Sequence, residues 1–333
     1  MKLLKMVATA AIATALAVPA VARAQDTSWL GGTPKKPLNA LKIGFSFRGG
    51  GGGNLYVTQY VDKLKEMAKT YGITVDIVDA EDDPGRQSQQ MPELIAKHPD
   101  AIVVWALNAA GIVPAIKRVH NAGIPVVTIV ADIDPSGKDY VTAHAGPNDT
   151  REGTQAAEAL IDAMGGKGNV VELRGPTGFG PADQRAQAFL DVAKKHPDIH
   201  LLDAQDGNWS VNKGQSIMET FITRFGKRID GVLSSDGYTG TGAYLAVDAA
   251  VKAGTLDDGH IKFSDPNGVA TAFDLVKQGK YSSTVLQLPQ DDAAFSFRIA
   301  IKVAEGIPVA RYNYLPTPVV TRANVSQYPR PGL

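Results

Sequence analysis

From residue 41 the chain alternates between short, almost wholly apolar runs and longer stretches in which apolar residues recur every three or four positions. The run LKIGFSF at 41–47 has the length and composition of a strand. Behind it Tyr56, Val57, Tyr60, Val61, Leu64, Met67 and Ala68 share one helical face, and the pattern stops near Tyr71-Gly72. ITVDIVD at 73–79 reads as the next strand, and Pro92 to His98 closes a helix. AIVVW at 101–105 is a buried strand, Val113 to Asn121 a helix stopped by Gly123, and PVVTIV at 125–130 a strand.

The second half keeps the rhythm. Helical spacing runs from Thr150 to Met164, a GGKG turn follows, and NVVEL at 169–173 is a strand. Gln184 to His196 is a helix, a strand lies near 199–203, and Val211 to Phe225 is again helical. IDGVLSS at 229–235 and HIKFS at 260–264 are strands around a helix from Gly240 to Ala253. A short helix from Phe273 to Gly279 precedes the strand YSSTVLQLP, and Asp291-Asp292 open a further helix, where acids suit the dipole. Continuously apolar strands separated by such helices predict parallel sheets covered on both faces. Two runs of similar length predict an α/β chain of two similar doubly wound lobes.

The first 24 residues break the pattern. Lys2 and Lys5 precede an apolar run from Val7 to Val18, Pro19 ends it, and Ala22-Arg23-Ala24 has the small-x-small form of a cleavage site. The run is shorter than the roughly 20 residues a membrane-spanning helix needs. An exported chain starting near Gln25 is expected, with residues 25–40, polar and broken by Pro and Gly, as a loosely held arm. There is no cysteine, which removes thiol chemistry, disulfides and a lipid-anchored cysteine at the cleavage point. A freely diffusing protein of this kind fits the periplasm.

Charge narrows the partners. Lys plus Arg equals Asp plus Glu at 34 each, and the leader carries Lys2, Lys5 and Arg23 without an acid, so its loss leaves 31 against 34. Without a basic excess the chain has no means to neutralise a run of phosphates, which excludes nucleic acid.

In open parallel sheets ligands sit beyond the carboxyl ends of the strands. Those segments are Ser46 to Asn54, Asp79 to Asp83, Trp105 to Asn108, Val130 to Asp134, Arg174 to Gln184, Ser235 to Tyr238 and Asp265 to Asn267. They are rich in Asn, Asp, Arg and Trp, the types that grip hydroxyls and stack on sugar rings. Arg48 followed by five glycines and Asn54 lies where a phosphate loop would, yet no Gly-Lys-Ser/Thr follows and the dinucleotide pattern fails at Asn54. His196 and His200 are separated by Pro197 and share no helix face for a metal. No nucleophile elbow occurs. No cofactor or metal is expected.

Eight stretches, in order and with matching spacing, resemble the periplasmic sugar-binding proteins of the ribose- and galactose-binding type. They are KIGFSF, HNAGIPVVTI, GPNDTREGTQAAEAL, GPADQRAQAF, DGNWSVNKGQSIMETFI, RIDGVLSSDGYTGTGA, SDPNGVATAFDLVKQGK and STVLQLPQDDAAF, spread over residues 41 to 322. The resemblance implies a type I periplasmic binding protein: two α/β lobes joined by three crossovers acting as a hinge. The crossovers would fall near Gly146-Pro147, Leu288-Pro289 and Tyr314 to Thr317. Lobe one would then be 41–146 with 289–314, and lobe two 147–288 with 315–330.

Matched residue by residue, the resemblance implies that Arg185 donates to sugar oxygens, Trp209 packs on the ring, and Asp236, Asn267 and Gln287 bind hydroxyls. From lobe one it implies Ser46, Asn54, Tyr56, Trp105 and Asp132. On this expectation Arg185→Ala abolishes ligand binding and leaves the fold intact. Three departures set the chain apart from ribose-type members: Val130-Ala131 in place of an Asp-Arg pair, Pro266 in place of an aromatic, and the pentaglycine. The implied function is the ligand-capturing subunit of an ABC-type sugar importer, monomeric, handing a monosaccharide or polyol to an inner-membrane permease, with a chemoreceptor as a further candidate partner. Arg48 leaves a sugar acid open. The alternatives are a secreted enzyme using Asp236 and Asp132 as an acid–base pair, and a transcriptional regulator with the same two-lobed fold.

Overall fold

In the computed structural model, which describes residues 26–49 and 55–332, the alternating pattern becomes two separate sheets with helices on both faces of each. The leader and Asn54 lie outside the described residues.

The first sheet is built from β1 (Lys42–Phe47), β2 (Thr74–Asp79), β3 (Ala101–Val104), β4 (Val126–Ile129), β5 (Ala143–Gly146) and β11 (Tyr312–Tyr314), all parallel. Its order is β2-β1-β3-β4-β5-β11. α1 (Leu55–Tyr71) and α9 (Pro289–Ala304) cover one face through Tyr60, Leu64 and Phe297. α2 (Pro84–Ala96) and α3 (Val113–Asn121) cover the other through Met91, Leu94 and Ile116.

The second sheet repeats this plan with β6 (Gly168–Arg174), β7 (Ile199–Asp206), β8 (Gly231–Ser234), β9 (Lys262–Pro266), β10 (Ser283–Val285) and β12 (Val319–Thr321), in the order β7-β6-β8-β9-β10-β12. Only β12 runs antiparallel to its neighbour. α4 (Asp149–Ala163) and α5 (Gly180–Ala193) pack on one face, and α6 (Val211–Phe225), α7 (Gly237–Lys252) and α8 (Ala270–Gln278) on the other.

The chain passes between the sheets three times: after β5, between β10 and α9, and between β11 and β12. The passages are tied side by side. Leu315 N–H donates to Gly146 O at 2.8 Å, Leu286 N–H to Pro318 O at 2.9 Å, and the Arg151 guanidinium to Leu315 O at 2.8 Å.

Several boundaries differ from the sequence expectation. α5 begins at Gly180, four residues before Gln184, because Pro181 is tolerated in a first turn whose N–H groups need no helical partner. α7 begins at Gly237 because the Asp236 side chain caps it. α2 runs back to Pro84, capped by Asp83, and Pro92 sits inside it rather than marking its last segment. Asp83 is thus an exposed helix cap. The arm at 26–40 is not loosely held. Leu30 and Leu38 are buried, Trp29 packs edge-on against Tyr71 at 5.5 Å, and the buried Glu305 carboxylate accepts the N–H groups of Lys35 and Lys36.

Candidate functional site

Each sheet changes winding direction beside its first strand, between β1 and β3 and between β6 and β8. The carboxyl ends of these strands open a crevice there, and in this chain the two crevices face each other. Between them lies a cavity of about 390 Å³. Arg48, Leu55, Tyr56, Trp105 and Val130 line it from the first lobe, and Phe179, Pro181, Arg185, Asn208, Trp209, Asp236, Tyr238, Asn267 and Val269 from the second. Gln287, on the crossover into α9, completes it.

Arg185 sits at the centre of a buried polar cluster. It is 5% exposed, and its five N–H groups all have protein acceptors. Nε donates to Asp149 at 3.0 Å, one terminal nitrogen to Ser235 O at 2.9 Å and Asn267 at 2.5 Å, and the other to Glu152 at 2.7 Å and Gln287 at 3.1 Å. α5 reaches this position because α4 carries glycine where the helices touch. A Cβ on Gly153 would lie 2.7 Å from Arg185 Cα. Asp149 and Glu152, one turn apart on α4, are then held under the guanidinium. Burial raises both carboxyl pKa values, Glu152 to about 8, although Arg185 pulls them down.

Gln287 joins the lobes through this cluster. Its carbonyl accepts from Arg185 and, at 2.5 Å, from Asn267. Its amide donates to Tyr56 Oη at 2.8 Å and to Asp292 at 3.2 Å, and Tyr56 Oη in turn donates to Asp292 at 2.8 Å. Burial pushes Asp292 up to about 7 despite those donors.

Asp236 presents its carboxylate to the cavity from the start of α7, where it accepts the N–H groups of Tyr238 at 2.9 Å and Thr239 at 3.2 Å. Burial raises its pKa, against those bonds. Tyr238 Oη and Trp105 Nε1 are buried at the wall without a hydrogen-bond partner among the described residues. A buried donor left unmade is costly, so such groups point to a ligand or ordered water.

Aromatic faces fill the remaining wall. Trp209 lies over Gly175, where a Cβ would come within 2.2 Å of its ring, and meets Phe179 edge-on at 6.2 Å. Arg48 reaches across from the first lobe to sit 5.2 Å above Phe179. Val130, Asn208, Trp209 and Asn267 line the cavity with positive φ, between 50° and 70°. Such backbone costs of order 1–3 kcal/mol per residue and concentrates at ligand clamps.

A cavity at the facing strand ends of two like lobes, with strain and unmet donors at its wall, is the candidate ligand site. Residues 43–308 match the sequence profile of the family described as periplasmic binding protein domain. The chain belongs to the periplasmic binding protein family. It is 27% identical over 270 residues to the xylitol-binding protein of Mycolicibacterium smegmatis, covering 81% of this chain and 75% of that one. It is 28% identical over 268 residues to the galactofuranose-binding protein of Escherichia coli, covering 74% of this chain and 84% of that one. An ABC transporter periplasmic solute-binding protein from Actinobacillus succinogenes with bound D-allose superposes with a TM-score of 0.77 at 25% identity, over 86% of this chain and all of that one. The two-lobed type I fold expected from the sequence is the fold observed. This periplasmic binding protein is a binder and not an enzyme.

The structure brings Tyr56, Trp105, Arg185, Trp209, Asp236, Asn267 and Gln287 to one cavity. Ser46 is not among its lining residues; it is 1% exposed within β1, where the strand faces the core. Asp132 lines a second cavity of about 270 Å³, with His144, Tyr312 and Tyr314, and is tied to Thr128 Oγ1 at 2.8 Å. Asp132 and Asp236 thus form no acid–base pair. Asn54 lies outside the described residues. Sequence reasoning named Arg48 only as a group that could meet a charged ligand, and missed Phe179, Asn208 and Tyr238 as individuals, though each falls in or beside a stretch flagged for its place after a strand or for its family likeness. It also missed Asp149 and Glu152, which lie in the family-like stretch GPNDTREGTQAAEAL but read there as a pair of acids one helical turn apart, a pattern common on exposed helices.

Proposed function

We propose that this chain is the solute-capturing component of an ABC-type importer for a monosaccharide or small polyol. The cavity of about 390 Å³ carries the reading. It is near the lower end of the roughly 300–1,000 Å³ typical of small-molecule sites, and it combines aromatic faces with carboxylate, amide and hydroxyl groups. Aromatic rings cover the C–H face of a sugar, and the polar groups replace the water its hydroxyls lose. The relatives named for xylitol and galactofuranose support the same class of guest.

On this reading the leader at 1–24 is removed on export and the mature monomer works in the periplasm. The lobes, 41–146 with 289–314 and 147–288 with 315–330, rotate about the three crossovers. A ligand that contacts both walls favours the closed state by the difference in its affinity for the two. The closed form then engages an inner-membrane permease, and a chemoreceptor could read the same surface. Mass spectrometry of the small molecule that co-purifies with the native periplasmic protein, followed by calorimetry with xylitol, D-allose and D-galactose, tests the proposal. A sugar or polyol bound one to one is expected. Recovery of an amino acid or peptide, with no heat from any of the three, would sink it.

A further inference from the structure

The polar groups at the cavity wall separate into those already satisfied by the protein and those still open. Arg185 is in the first group, since all five of its N–H donors are taken. Asn267 and Gln287 are also engaged at both ends of their amides. The other cation, Arg48, pairs through Nε with Asp82 at 2.9 Å and spreads its face over Phe179. Both positive charges already have a protein carboxylate beside them.

Asp236 is the reverse case. Its two oxygens accept the N–H groups of Tyr238 and Thr239 at the α7 terminus beside the Thr239 hydroxyl, and among the described residues no Lys, Arg or His forms an ion pair with it. A helix N-terminus favours the ionised carboxylate, and each oxygen keeps a lone pair for the cavity. On the same wall stand the exposed Asn208 and the buried hydroxyl of Tyr238, which has no hydrogen-bond partner among the described residues. The open groups therefore centre on one carboxylate whose nearest cation, Arg185, is already ion-paired with Asp149 and Glu152.

Building on the sugar-binding reading, we infer that this cavity selects by charge: it takes a neutral or amine-bearing hydroxylated ring, whose donor group meets Asp236, and rejects a sugar acid. A ligand carboxylate would be buried with no free cation and opposite another carboxylate, a combination that strongly disfavours binding. A ligand ammonium would replace a neutral hydrogen bond to Asp236 by a charge-assisted one of roughly twice the strength. Arg48, at the rim and paired through Nε with Asp82, is the one cation that competes with this reading, and the uronates in the test below decide it.

The test uses three matched sets, in gluco, galacto and manno configuration, each with the parent sugar, its 2-amino and 6-amino forms and its uronic acid. Calorimetry on the full mature protein at about pH 6.5 keeps the amines protonated. Wherever a parent binds, its uronate is expected to bind at least about tenfold more weakly and one of its amino sugars at least as tightly as the parent. Asp236→Asn keeps a good helix cap and removes the charge, so the amine-to-parent affinity ratio is expected to fall about tenfold while the unliganded melting midpoint shows that the variant is folded. A uronate within about threefold of its parent, or a ratio unchanged in the variant, overturns the inference. Silence from every member of all three sets is a different result: it removes the sugar-binding reading on which the inference stands.

Discussion

Leu55, Tyr56, Trp105 and Val130 form the first-lobe wall of the cavity, with Arg48 at its rim, whereas the second-lobe wall sets Arg185, Asp236, Asn208 and Asn267 around Trp209. The first wall offers area and shape, with one buried unmet donor, Trp105 Nε1, among the described residues. The second offers groups whose orientation is fixed by other protein groups before any ligand arrives. Such preorganisation lowers the ordering cost of binding, but it demands that buried charges and strained backbone be held in place by their surroundings. One wall is therefore tolerant of change and the other is not.

Arg185→Ala probes the difference most sharply. Removing the guanidinium leaves Asp149 and Glu152 buried without their partner, and breaking a buried pair from one side costs about 3–5 kcal/mol. A fall in the unliganded melting midpoint of roughly 10 °C is expected in a scanning experiment. This revises the expectation that the exchange spares the fold, because the cation serves its neighbours before it serves a ligand. A midpoint within about 2 °C of wild type would show that the second wall is not held together in this way.

The same asymmetry has a pH signature. Burial raises Glu152 to about 8 and Glu172, Asp265 and Asp292 to about 7, and three of these four acids belong to the second lobe. A carboxyl raised in the folded state binds its proton more tightly there than in the unfolded chain. Its contribution is complete below about pH 4 and is lost as pH rises through the folded value. Buried His144 has its pKa lowered by desolvation, so it opposes this trend only below its ordinary value near 6.5. Between about pH 6.5 and 8.5 the acids act alone. Stability should fall by of order 1 kcal/mol per group, seen as a midpoint several degrees lower at the higher pH. A flat or rising profile over that window would contradict the burial assigned to these acids.

Gln287→Leu cuts the amide bridge between the walls while nearly conserving volume. It leaves one Arg185 N–H and the Asn267 amide without acceptors, while Tyr56 and Asp292 keep each other. A loss of about 1–3 kcal/mol is expected, with ligand affinity weakened as well because the two walls lose their common partner. Loss of affinity without loss of unliganded stability would mean that the bridge forms only around a ligand.

The sequence carried the second wall better than the first. Arg185, Asp236 and Asn267 lie at strand or helix ends inside motifs whose spacing survives, so family likeness placed them. On the first wall, the pentaglycine next to Arg48 obscured the register, and Ser46 was assigned to the cavity although the strand turns it inward. Strand periodicity marks which residues alternate but not which face meets a cleft. Val130 was read as the loss of an Asp-Arg pair, and the structure shows what stands there instead: an apolar residue with φ of 57° between two cavities. The acids under Arg185 could not be read at all, because burial of a first-turn carboxylate depends on a neighbouring helix that only Gly153 admits. β5 and the outermost strands β11 and β12 were equally silent, being three or four residues long with no apolar run of their own.

Trp105→Phe should have the smallest effect on the unliganded protein and is the cleanest probe of the tolerant wall. The smaller ring gives up packing against Phe47, Tyr56 and Tyr60, whose centroids lie 5.5–6.1 Å away. It also removes a buried Nε1–H that has no acceptor among the described residues. Lost packing costs about 1 kcal/mol or more, and deleting an unmet buried donor returns about 1–3 kcal/mol. The two nearly offset, so the melting midpoint should move by no more than about 2 °C. In the complex the balance differs, because there the indole donor has a ligand acceptor and its deletion loses a made hydrogen bond worth about 0.5–1.5 kcal/mol. Affinity for the co-purifying solute should therefore fall by roughly threefold to tenfold. Unchanged affinity would mean that the first wall contributes shape alone and that every polar contact to the guest comes from the second.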